Sequence, residues 1–172
     1  MKNKYSNGEI MREDNQKQYF PIIKEWLEKN NYKAIITGDA HHLVIPIWDI
    51  FPIRSHVIPD VIGYKENPFP HLTIVEVETK LDKIFEAIGK CMIWKTIASI
   101  VFLAYPEGSI RKLPALEKLG LGLISVSENE VREIISILPK ESLDAHKILE
   151  LHPLYHNKEQ EIIRRIKNII EL

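Results

Sequence analysis

Five consecutive apolar residues, Ile100-Val101-Phe102-Leu103-Ala104, stand just ahead of a turn at Pro106-Glu107-Gly108. The run is far too short to cross a bilayer, which needs about 20 apolar residues. It shows no polar alternation, so it reads as a strand buried on both faces. A strand of that kind demands a sheet covered by helices on either side.

The rest of the chain supplies those layers. Tyr19, Phe20, Ile22, Ile23, Trp26 and Leu27 recur at helical spacing, with Pro21 in a first turn and Asn30-Asn31 as the stop. Lys33 to Thr37 reads as a short strand, Ser55 to Tyr64 as a second and His71 to Lys80 as a third. Residues 39 to 55, interrupted by Pro46 and Pro52, read as an extended connection or an edge hairpin. A helix opens at Asp82 and runs to about Ala98. A short helix around Lys112 to Leu119 ends at Gly120. Leu121 to Val126 reads as the last strand, and Ser127 as the cap of a helix through about Leu138. The predicted order is α-β-β-β-α-β-α-β-α, an α/β chain with a mixed sheet flanked by helices. Residues 1-139 form that domain. Residues 140-172 form a C-terminal helical extension, with Ile162, Ile163, Ile166, Ile169 and Ile170 as an apolar stripe that needs the domain or a second subunit as partner.

Composition narrows the function. The 172 residues carry 23 Lys and Arg against 24 Asp and Glu, for a net charge of -1, so no broadly cationic nucleic-acid coat exists, although a local basic surface remains open. The single cysteine, Cys91, allows neither an internal disulfide nor a Cys-rich zinc site. No apolar leader follows Met1 and no stretch suits a membrane span, so the expected setting is cytoplasmic with no membrane partner.

Two strands carry charge where apolar residues are expected. Strand alternation puts His56, Ile58, Asp60, Ile62 and Tyr64 on one face. Asp60 thus falls between isoleucines, and a buried carboxylate needs a cation, a strong hydrogen bond or a proton. The alternative is an exposed strand end with a lysine partner. On the next strand, one face reads Leu72, Ile74, Glu76, Glu78, Lys80, changing from core to charge towards the carboxyl end. The short turn between the strands predicts a hairpin that brings Asp60 near Glu78. Two carboxylates beside an ammonium suit Mg²⁺ or Mn²⁺ and phosphate chemistry.

Pro59-Asp60 followed by Glu78-Thr79-Lys80 resembles the PD-(D/E)xK, or restriction-endonuclease-like, nuclease superfamily. The next helix reads Ala87-Ile88-Gly89-Lys90-Cys91-Met92-Ile93-Trp94, similar to the AIGQxxxY pattern of many members, with Lys90 where a Gln is often found. The element order resembles the αβββαβ core over roughly residues 18 to 127, closest in layout to archaeal junction-resolving and RecB-like nucleases. The resemblance implies a metal held by Asp60, Glu78 and the carbonyl of Thr79, with Lys80 assisting the nucleophile. Glu76 and Lys90 would be outer-shell or substrate contacts, and Arg54 and His56 could approach a phosphate backbone. Gly89 would let its helix sit close to the sheet. Many members place a Glu on the first helix facing the metal; here Glu13 is early and Glu25 falls beside the apolar stripe.

Other constellations are weaker. His146, His152 and His156 are split by Pro153 and read as surface histidines. His41-His42 would line a cleft only if their connection folds over it. Trp48 and Tyr64 suit core packing better than base stacking, and Cys91 reads as a buried helix residue. Two functions remain. One is a Mg²⁺- or Mn²⁺-dependent endonuclease on DNA, with RNA open, that resolves two strands as a homodimer. The other is an inactive nuclease-like module that binds nucleic acid or a protein.

Overall fold

The computed structural model describes residues 16–37, 45–46, 56–67, 71–107 and 114–138, with Arg164 and Asn168 as single helical residues, and leaves the side chains at 45, 46, 56 and 57 undescribed. In chain order the elements are α1 (Phe20–Lys29), β1 (Lys33–Ile36), β2 (Ile45–Pro46), β3 (His56–Val57), β4 (Val61–Lys65), β5 (His71–Val77), α2 (Ile84–Trp94), β6 (Ile100–Pro106), α3 (Pro114–Lys118), β7 (Gly122–Val126) and β8 (Val131–Ile135). Single 3-10 turns precede α1 and α2.

The apolar run at 100–104 lies in β6, inside a six-stranded sheet ordered β1-β4-β5-β6-β7-β8. β1, β4 and β5 form an antiparallel meander. β5, β6 and β7 are parallel, joined through α2 and α3, because parallel neighbours need a crossover. β2 and β3 pair as a separate two-stranded sheet; of the residues 39 to 55 expected as a connection or edge hairpin, Ile45 and Pro46 pair with the later His56 and Val57, and the rest lie outside the described residues.

Alternation sorts the core onto two faces. Phe20, Ile23 and Leu27 of α1 pack with Val61, Val75, Phe102, Ala104 and Ile124. Ala87, Cys91 and Trp94 of α2 pack with Ile62, Ile74, Leu103 and Leu123. The protein is therefore α/β, with the sheet between helices. Asn31, at φ 63, turns the chain out of α1, and Gly120, at φ 65, closes the turn after α3 as a C-cap.

Three expectations need correction. The helix expected from Ser127 to about Leu138 is the edge strand β8, antiparallel to β7. Ser127 N–H donates to the Glu130 carbonyl at 2.9 Å, making a tight turn instead of a cap. Val131, Ile134 and Ile135 favour the strand, while Arg132 and Glu133 are exposed, as suits an edge. The strand expected over Ser55 to Tyr64 is broken: β3 ends at Val57 and β4 begins at Val61, because Pro59 has no N–H for the ladder. Gly89 lies on the exposed face of α2, where an added Cβ would meet nothing within 4 Å, so it does not set the helix–sheet distance.

Among the described residues no helix is long and apolar enough to cross a membrane. Arg164 and Asn168 are helical, within the helical extension expected over residues 140–172; the rest of that extension lies outside the described residues.

Candidate active site at the carboxyl end of β5

Pro59 and Asp60 are fixed from the main chain outward. The Thr37 hydroxyl donates to the Pro59 carbonyl, and Thr37 N–H donates to the Asp60 carbonyl at 3.0 Å. Thr37 is fully buried, so this clasp is dry. The β4–β5 register pairs Val61 with Val75, which puts Asp60, one residue further out, opposite Glu76. Asp60 Oδ2 accepts the Val77 N–H at 2.8 Å.

Glu76 is the most deeply buried acid of the group, at 2% exposure. Its Oε1 lies 2.9 Å from Lys90 Nζ, and its Oε2 accepts the Trp94 indole N–H at 3.1 Å. Lys90 and Trp94 are four residues apart on α2 and so share a helix face. The face runs from the buried Trp94 to the half-exposed Lys90, and Glu86, a further turn back, also acts on the Lys90 ammonium.

Glu78 lies just past the strand. Its N–H continues the parallel ladder to the Ala104 carbonyl at 3.0 Å. Its Oε1 folds back to accept Thr79 N–H and Lys80 N–H, each at 2.8 Å, and Gln16 Nε2 at 3.2 Å. The carboxylate thus closes the 78–80 turn and ties it to the entry of α1. The Thr79 carbonyl accepts the Tyr105 hydroxyl at 3.3 Å. Lys80 is exposed, and its ammonium makes no ion pair with any described residue.

Burial dominates the electrostatics. It drives the Asp60 carboxyl up to about 7, helped by repulsion from Glu76 and opposed by the Val77 N–H and Lys90. Burial also pushes Glu76 up, against the attraction of Lys90 and the Trp94 hydrogen bond. For Lys90, burial favours loss of the proton, but the charges of Glu76 and Asp60 outweigh it and hold the ammonium form. Burial raises the Cys91 thiol, with Glu76 adding to it, which leaves an inert sulfhydryl in the core.

Asp60, Glu76 and Lys90 therefore share one environment, with Glu78 close enough to act on Asp60 and Glu76. Lys80 stands apart. Among the described residues no three His, Cys, Asp or Glu side chains are assembled as a ready-made metal site. The donor chemistry does fit a hard divalent cation: Asp60 and Glu76 act on the Lys90 ammonium, and Glu78 adds a third largely buried carboxylate beside them, an excess of two negative charges over Lys90 when all are ionised. Asp60 Oδ1 and Glu78 Oε2 accept no hydrogen bond among the described residues.

Arg54, His41, His42, Trp48, His146, His152 and His156 lie outside the described residues. His56 is in β3 with its side chain undescribed. Tyr64 is buried in the core, as expected. Gln16, Trp94 and Tyr105 are additions. The 90/94 spacing carries a signal for Trp94; nothing in the sequence links Gln16 to Glu78.

The sequence matches no family profile and no curated protein. Among solved structures, a protein of unknown function from Silicibacter pomeroyi is similar at 12% identity and a TM-score of 0.46, over 82% of this chain and 83% of that one.

Proposed function

We propose that this chain is a Mg²⁺- or Mn²⁺-dependent nuclease of the restriction-endonuclease-like type, hydrolysing phosphodiester bonds in DNA. One observation carries the reading: Asp60, Glu76 and Glu78, largely buried at the end of β5, lie near enough to act on one another, and among the described residues Lys90 is the one cation paired with them. Burying that much negative charge is unfavourable unless a cation or proton joins it. The α1-β1-β4-β5-α2-β6 succession, an antiparallel meander followed by a parallel crossover, supports the αβββαβ core.

Asp60 and the strand glutamates would hold the cation, with the Thr79 carbonyl as a further oxygen. When bound, the cation supplies Lewis acidity to the phosphate and acidifies water. The Thr37 clasp fixes the Asp60 backbone, the Trp94 indole orients Glu76, and Gln16 orients Glu78. A lysine ammonium offsets charge developing on the phosphate. Cutting both strands of a duplex or a branched junction would take two such sites, hence a homodimer.

The second reading, a non-cleaving module that binds nucleic acid or protein, is favoured by one feature. Lys90 already neutralises Glu76, so part of the negative charge is balanced without metal. Labelled linear, flapped and four-way DNA, with RNA in parallel, incubated in Mg²⁺ and in Mn²⁺ separates the two. Cleavage by wild type and none by Asp60→Asn supports the nuclease. Binding by wild type without cleavage in either metal favours the module.

A further inference from the structure

The nuclease reading leaves two lysines able to serve one role, and their surroundings differ. Lys80 follows the end of β5 by three residues on an exposed turn. Among the described residues its ammonium has no ion-pair partner, and an ammonium on a free stem must lose rotamer entropy before it does any electrostatic work. Lys90 has already lost that freedom. It rises from α2, which is anchored in the core by Ala87, Cys91 and Trp94, and its Nζ sits 2.9 Å from Glu76. Its side chain is 38% exposed against 3% for Glu76, so a ligand can reach the ammonium but not the far side of the carboxylate.

The two glutamates differ in the same way. Glu78 is bound to main-chain N–H groups that cannot leave without unfolding the 78–80 turn. Among the described residues the Glu76 carboxylate is held by side chains, those of Lys90 and Trp94, and the β4–β5 register extended by one residue sets it opposite Asp60.

We infer that Lys90, not Lys80, is the ammonium that contacts the substrate phosphate, set there by Glu76 opposite Asp60. The inference rests on the nuclease reading for its substrate. Preorganised charge at a developing anion is the form of electrostatic help that enzymes use most. Lys90 has that preorganisation and Lys80 lacks it. Glu78 then serves as the brace of the turn, and Glu76 as the strand carboxylate nearest the reaction.

The test uses the full-length wild-type chain first, so that folding of variants is not at issue. Lysines are acetylated in Ca²⁺, which neutralises the carboxylates without strong Lewis acidity, with and without a saturating DNA duplex, and each position is read by mass spectrometry. Duplex DNA should suppress acetylation of Lys90 and leave Lys80 unchanged. Protection of Lys80 instead, or of neither, overturns the inference. The second arm measures single-turnover cleavage in Mn²⁺, with Mn²⁺ binding followed by the paramagnetic signal of the free ion. Lys90→Gln should cut about 100-fold more slowly than wild type, and more slowly than Lys80→Gln, while still binding Mn²⁺. The opposite pattern overturns the inference. Protection of Lys90 with no cleavage by wild type would sink the nuclease reading while upholding the phosphate contact.

Discussion

Asp60 sits where a strand begins, where a buried clasp ends and where two glutamates crowd it. Its carboxyl is raised from 3.8 to about 7 by burial and then by Glu76. The sign follows directly. The folded protein keeps a proton on Asp60 between about pH 4 and 7 that the unfolded chain has released, so stability falls as pH rises through that window. Asp60→Asn keeps an acceptor for the Val77 N–H and removes the charge. The variant should match wild type near pH 4 and exceed it at pH 8, by at most about 4 kcal/mol if the whole shift is realised. Urea unfolding at both pH values checks this, and a gain independent of pH would contradict it. Lys90→Ala does the reverse, leaving Glu76 buried without its partner. It should lose about 1–3 kcal/mol at pH 8 and less at pH 5, where Glu76 can take up a proton. At this scale the sequence marks Asp60 well, because an acid between isoleucines is an exception to alternation. It marks Glu76 and Lys90 only as secondary contacts. Their pairing spans fourteen residues and depends on which face of α2 meets the sheet, and neither Lys83 nor Glu86 nearby distinguishes that face.

The elements divide by how their neighbours are chosen. β5, β6 and α2 are legible because both faces of the central strands are apolar and the helix has a clean period. β8 is not: Val131-Arg132-Glu133-Ile134-Ile135 satisfies a helical spacing as well as a strand, and only the waiting edge of β7 decides for the strand. An extra residue on β8 opposite Leu123 and Ile124 makes a bulge that the sequence does not announce. β7 itself depends on a close approach. An added Cβ at Gly122 would come within 2.1 Å of the Phe102 ring. That ring is 5% exposed and held edge-on by Trp26 at 5.6 Å, so it has little room to move. Gly122→Ala should destabilise the protein by about 1–3 kcal/mol in thermal or urea unfolding, and a neutral result would mean that the ring can shift. Thr37→Val removes the hydroxyl that grips Pro59 while keeping the volume. It should lower stability by about 1 kcal/mol and, under the proposed nuclease function, lower cleavage by a larger factor, because Asp60 loses its clasp.

Over the whole molecule the net charge of -1 matters less than its placement. Acidic groups gather at the carboxyl end of β5, and under the proposed nuclease function a phosphate approaching them would meet repulsion unless a cation had arrived first. Binding of DNA should therefore tighten when Mn²⁺ is added and weaken when Asp60 is ionised in its absence, which a fluorescence-anisotropy titration at pH 6 and pH 8 would report. The α/β class and the site's strand were legible because they rest on periodicity and on misplaced charge. The partition of labour among Glu76, Glu78, Lys80 and Lys90 was not, since it depends on where β5 ends and how the chain turns at Thr79. The most direct measurement is a crystal soaked in Mn²⁺ and examined by anomalous scattering. The prediction is a single strong peak touching Asp60 and a β5-end glutamate, with the Glu76–Lys90 contact altered. Crystals that take up Mn²⁺ elsewhere while these carboxylates stay without it would contradict the metal-dependent nuclease.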